Sequence, residues 1–149
     1  MPRKPLPELL LSVQYPGGRV DAPSRSDIRR WVRASCALPA EVAVRLVDAA
    51  EGRILNRDYR HRDYATNVLS FAYAAGERIV GDLVVCTPVV HDEAAAQGKA
   101  AADHFAHLIV HGMLHLQGYE HETNRRDALH MERREREILA VLGIGDPYA

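Results

Sequence analysis

The chain has 149 residues, 47% of them hydrophobic and 26% charged, with 19 basic residues against 20 acidic and a formal net charge of -1. That length fits one domain with its own core, and the balanced charge excludes bulk attraction to a polyanion, so any nucleic-acid surface must be a local basic patch. Cys36 and Cys86 lie far apart with no CxxC pair, which argues against a thiolate metal site or a disulfide framework; both read as small buried residues of a reducing cytosol.

Residues 1–7 hold three prolines and read as an irregular arm. The apolar run Leu9–Val13 is too short for a signal-peptide core, and no stretch is long enough to span a bilayer. A cytoplasmic protein with no membrane partner is expected. Glu8–Tyr15 reads as a strand closed by Pro16-Gly17-Gly18. Ser24 or Ser26 caps a helix to about Ala37, with Ile28, Trp31, Val32 and Ser35 on one face. Glu41–Asp48 alternates and is valine-rich, the pattern of a strand. Ala49–Tyr59 reads as a short helix, Asn67–Tyr73 and Ile79–Cys86 as two strands around a hairpin-length loop at 75–78.

Thr87-Pro88 predicts a helix start with threonine as the cap, and Gly98 breaks that helix. A second helix is expected from about Lys99 to Gln117, with Phe105, Leu108, Ile109, Met113 and Leu116 as its apolar face and Gly118 as its stop. The last helix spans roughly Asn124–Leu142. Its run of alternating charge over 125–137 predicts (i, i+4) pairs from Glu132 to Arg136 and from Arg133 to Glu137 on an exposed face. The expectation is a single α+β domain over 1–149: about four strands in a mixed sheet covered by helices, with a metal site at the end of a helix in the C-terminal half.

That site is the stretch HGMLHLQGYEH. His111 and His115, four residues apart on a helix, project about 40° apart and roughly 6 Å along the axis, near enough to share one ion. Gly118 lets the chain turn back, and His121 then supplies a third nitrogen. A lone HxxxH arises by chance on helices; HxxxHxxGxxH is far more specific. Three histidines with a position left open suit catalytic zinc, although three neutral imidazoles also suit nickel or copper. The spacing resembles the metzincin metallopeptidases, HExxHxxGxxH. Their general base follows the first histidine; here Gly112 stands there and can move no proton, which argues against peptide hydrolysis.

Three blocks in order, ILNRDYRHRDYATNVLSF (54–71), GDLVVC (81–86) and HLIVHGMLHLQGYEH (107–121), together resemble the YbeY family of bacterial metal-dependent endoribonucleases and rRNA maturation factors. The resemblance covers about residues 40–143, while the first 40 match only in general character. Glu120 stands where the family pattern commonly shows aspartate. The resemblance implies one zinc per chain on His111, His115 and His121, with Arg60 as a catalytic arginine facing it. It also implies a single-strand-specific endoribonuclease acting on rRNA at the small ribosomal subunit, in 16S rRNA 3′ end maturation and ribosome quality control. A guanidinium, planar and always charged, matches phosphate oxygens. Arg57 and Arg62, beside the proposed site, are expected to bind the RNA substrate. Whether water or the substrate's 2′-OH attacks stays open. The competing reading is a non-catalytic ribosome assembly factor with a structural zinc. Of the other histidines, His107 is expected to pack, His104 and His130 to lie on the surface, and His61 and His91 stay unplaced. Glu120 and Glu122 read as solvated carboxylates or partners of a ligand ring, and Asn67, Ser70 and Asp82 as structural.

Overall fold

The computed structural model describes residues 6–74 and 76–149. Most of the expected irregular arm, together with Ala75 of the expected loop, therefore lies outside the described residues. The elements follow as β1 (Leu9–Gln14), α1 (Arg25–Ser35), β2 (Ala40–Val47), α2 (Ala49–Arg60), β3 (Val68–Ala74), β4 (Ile79–Cys86), α3 (Thr87–Gln97), α4 (Ala101–Leu116) and α5 (Arg125–Val141). Side-chain caps open three of the helices. Ser24 accepts from Asp27 N at 3.1 Å, Asp48 from Glu51 N at 2.9 Å and Asn124 from Asp127 N at 2.8 Å. The start of α3 differs from expectation: Thr87 is already helical, and Cys86 occupies the cap position without a side-chain bond. Strand β4 runs straight into α3, so its last residue doubles as the cap.

The four strands form one mixed sheet in the order β1-β2-β4-β3. β1, β2 and β4 are parallel, and β3 runs antiparallel to β4 along one edge. Alternation along β2 sends Ala40, Val42, Val44 and Leu46 into the main core, and Leu83 and Val85 of β4 join them. α2 covers part of the opposite face, where Leu55 packs against the cluster of Val47, Leu69, Val84 and Cys86. Cys36, expected to be buried, is only half-buried; Cys86 is buried, and both thiols are free.

Helix α4 is the centre of the molecule, packed against α1, α3, α5, β3 and β4. Two glycines let it approach the sheet. A methyl group at Gly112 would stand 2.8 Å from a Leu83 methyl, and one at Gly81 would stand 2.6 Å from the Phe71 carbonyl and 2.7 Å from Leu116. Gly112 is therefore a packing position, where a larger side chain would have to displace the end of Leu83. No helix among the described residues is long and apolar enough to cross a membrane.

On α5 the expected pairs do not form. Arg134 bonds Glu137 at 3.1 Å, and Arg136 bonds Asp146 at 3.0 Å. The C-terminal segment folds back over α5 and takes Arg136 from its neighbour on the helix.

Candidate metal centre

His104, His107, His111 and His115 fall at i, i+3, i+7 and i+11, one stripe of α4. At its lower end the helix stops in a Schellman turn: Gly118 at φ 94°, with Gly118 N bonded to His115 O at 3.1 Å and Tyr119 N to Leu114 O at 3.0 Å. The turn does two things. It reverses the chain so that His121 comes back beside the helix, and it aims the Tyr119 carbonyl at the His115 ring. The ring centroids of His111 and His115 are 4.6 Å apart; that of His121 is 5.0 Å from the first and 4.8 Å from the second. One ring nitrogen from each lies within 4.8 Å of the others.

The hydrogen-bond partners assign the protons. His111 Nδ1 faces Glu135 Oε1 at 2.5 Å, and His115 Nδ1 faces Tyr119 O at 2.9 Å. Each Nδ1 thus donates, which leaves a lone pair on each Nε2. Those two Nε2 atoms face each other at 3.1 Å. Two lone pairs aimed at each other repel unless a cation lies between them. Two nitrogen ligands of a tetrahedral zinc, each at about 2.0–2.1 Å, stand about 3.4 Å apart, so the donors fit a metal ion. Burial, and then the neighbouring His111 and His121, hold the His115 pKa below its ordinary value, which favours the neutral ring that ligates.

Glu135 is the site residue that sequence reasoning missed. It was placed on an exposed charged face, yet its side chain is fully buried. Its second oxygen meets His107 Nε2 at 3.0 Å and accepts from the Tyr148 hydroxyl. Burial pushes this carboxyl up, but the bonds from His107, His111 and Tyr148 outweigh it and hold the pKa at about 2. Burial and then Glu135 push the Tyr148 hydroxyl up, so it stays protonated. A signal was present: Met131, Glu135, Ile138 and Leu139 share one helical stripe, all buried. His104, expected at the surface, is also buried and bonds Glu93 at 2.9 Å, with Asn67 on the same carboxylate. His107 bonds as well as packs. His130 is exposed and stacks on Tyr119.

A cleft of about 330 Å³ opens over the three histidines. Arg60 and Arg62 line one side of it, with Asn67 and Ser70 of the β3 region, Glu122 and Tyr148. Arg60 is the last residue of α2. His61 follows at φ 58°, and buried Asn56 holds the next turn by donating to Tyr64 O at 2.7 Å. The Arg53–Asp63 ion pair ties down the same turn at 2.7 Å. Arg57 pairs with Asp58 at 3.3 Å and is absent from the cleft lining. His61 and His91 also lie outside that lining; the His91 ring bonds Asp21 O at 2.6 Å. Asp82 accepts from Tyr73 at 2.8 Å.

A family model described as Endoribonuclease YbeY matches residues 21–143. An Endoribonuclease YbeY of Aromatoleum aromaticum is 56% identical over 144 residues, covering 95% of this chain and 93% of the relative. One of Paracidovorax citrulli is 51% identical over 149 residues, covering 97% and 98%. The solution structure of a Thermotoga maritima protein matches with a TM-score of 0.58 at 22% identity over 90% of this chain and 92% of that one, a likeness of fold.

Proposed function

Since this chain belongs to the YbeY family, we propose that it is a zinc-dependent, single-strand-specific endoribonuclease that matures rRNA at the 16S 3′ end. The reading places it in the cytoplasm at the small ribosomal subunit, with a further role in ribosome quality control. The observation that carries it is the pair of Nε2 atoms facing each other 3.1 Å apart, with His121 beside them, in a cleft that Arg60 also lines.

His111, His115 and His121 would hold the zinc, which supplies polarisation of a phosphoryl oxygen or activation of a water when bound. The protein's own part is positioning and charge. Arg60 offers its guanidinium fork to the scissile phosphate and offsets the charge that develops there. Arg62 adds a second cation on the same wall and holds an adjacent phosphate. Arg57, paired with Asp58 outside the cleft lining, makes no phosphate contact of its own. A side chain at 112 would press on the Leu83 methyl groups and the Ser70 hydroxyl; with glycine there, no carboxylate base stands beside the first ligand, which separates this site from zinc peptidases of similar spacing.

The test is cleavage of single-stranded RNA by the zinc-loaded protein, with metal content measured on the same samples. His115→Ala loses both metal and cleavage. Arg60→Ala keeps its metal and loses about 10²–10³-fold in rate, the usual cost of one group that stabilises developing charge. Chelation abolishes cleavage and leaves the far-UV circular dichroism unchanged. Full activity in Arg60→Ala, or unfolding on chelation, would favour an assembly factor with a structural zinc. A 2′,3′-cyclic phosphate on the product identifies the 2′-OH as nucleophile.

A further inference from the structure

Among the described residues Glu135 is the only buried acidic side chain. It sits on the α5 stripe that also carries Met131, Ile138 and Leu139, all buried. An apolar side chain would fill that seam at least as well, because a buried charge loses its hydration and recovers it only through good partners. What a carboxylate adds there is direction and charge. Both oxygens are engaged: Oε1 with His111 Nδ1 at 2.5 Å, Oε2 with His107 Nε2 at 3.0 Å and with the Tyr148 hydroxyl. The carboxylate is thereby clamped between two turns of α4 and the C-terminal segment. That segment is itself fixed by Asp146, which accepts from Tyr148 N at 2.8 Å and from Arg136 at 3.0 Å.

We propose that Glu135 is a positioning residue of the metal centre, holding His111 in the one tautomer and ring orientation that present Nε2 to the ion, with His107 and Tyr148 holding Glu135 in turn. The proposal rests on the reading that the three histidines bind a divalent cation. His111 has no partner for Nδ1 other than this carboxylate; His115 has the Tyr119 carbonyl instead. The two rigid ligands are therefore oriented by different elements, one by the helix end and one by α5. Ionised Glu135 also raises the basicity of the His111 ring and offsets part of the charge of a dication held by neutral imidazoles. Tyr148, which lines the cleft, links the C-terminal segment to the ligand through a single carboxylate.

The experiment uses the full chain, stripped of metal and titrated with Zn²⁺ in competition with a chromophoric chelator. Co²⁺ absorption on the same proteins reports the ligand geometry. Glu135→Met melts, metal-free, at or above the wild-type temperature, yet binds Zn²⁺ about 10–100-fold more weakly, the usual effect of losing the partner of a ligating histidine, and its Co²⁺ bands shift. Glu135→Gln keeps an oxygen for His111 but no charge, and falls between the two. Tyr148→Phe weakens Zn²⁺ binding by less than tenfold. If Glu135→Met does not fold, Glu135→Gln and Tyr148→Phe decide. Wild-type affinity and an unchanged Co²⁺ spectrum in the folded variants would overturn the positioning role alone. A wild-type chain that binds neither Zn²⁺ nor Co²⁺ would overturn the metal reading itself, and this role with it.

Discussion

Two histidines four apart on a helix do not by themselves make a site; what makes one here is that both Nδ1 atoms already have acceptors. The imidazoles are held in the metal-facing tautomer before any ion arrives. The cost of that arrangement is a carboxylate buried among apolar neighbours, which sets a pH dependence. Glu135 has a folded-state pKa of about 2 against an ordinary 4.5. A depressed carboxyl contributes stability that is complete above the unfolded value and is lost as pH falls through the folded one. The metal-free protein therefore loses this contribution between about pH 4.5 and 2, and Glu135→Met does not. Acid titration of the two proteins, followed by circular dichroism, checks this: the difference in their unfolding free energies changes across that window. Glu135 was hidden in the sequence because its neighbours, Arg133, Arg134 and Arg136, make the stretch look solvated. Only its phase relative to Met131 and Ile138 put it inside. His104 is hidden in the sequence for a similar reason: its polarity points to the surface, while its place on the α4 stripe buries it.

Helix α4 works as an element because it lies close to the sheet. Its contact with β3 and β4 depends on glycines on both sides, Gly112 on the helix and Gly81 on the strand. At Gly81 the obstruction is a backbone carbonyl as well as the end of Leu116, so the clash cannot be relieved by a rotamer change. Gly81→Ala is expected to destabilise the fold by about 1–3 kcal/mol through overpacking. Gly145→Ala, where a methyl group meets nothing within 4 Å, should stay within about 0.5 kcal/mol. Urea denaturation of both variants measures the contrast. The end of α4 was legible, since a glycine in the left-handed region three residues after His115 can only close the helix and turn the chain. The start of α3 was misplaced by one residue because the strand before it leaves no loop, a fact of the sheet rather than of the Thr-Pro pair.

At the scale of the whole molecule, a net charge of -1 leaves no general attraction to RNA, so binding must come from where the arginines are gathered. The fold brings the C-terminal end of α2 to the cleft over α4 and sets Arg60 and Arg62 on its wall, while Arg57 turns to Asp58. Each phosphate contact to a single strand contributes about -0.7 to the slope of log K against log salt. The metal-free protein on single-stranded RNA should show a slope of about -1.4 from two contacts, and Arg62→Ala about -0.7. Arg57→Ala should leave the slope near wild type. Fluorescence anisotropy over a salt series measures all three.

The sequence by itself determined the α+β class, the order of the elements and the three histidines. Each of these is set within a few residues, by the pitch of a helix, the alternation of a strand and the turn a glycine permits. Only the tertiary structure decided which carboxylate stands behind His111, which arginines reach the cleft and what a side chain at position 112 would meet. Those pairs meet across 24 residues and more, brought together by how α5 and β3 pack against α4 while α2 lies over the other face of the sheet, and no local periodicity encodes a contact between elements.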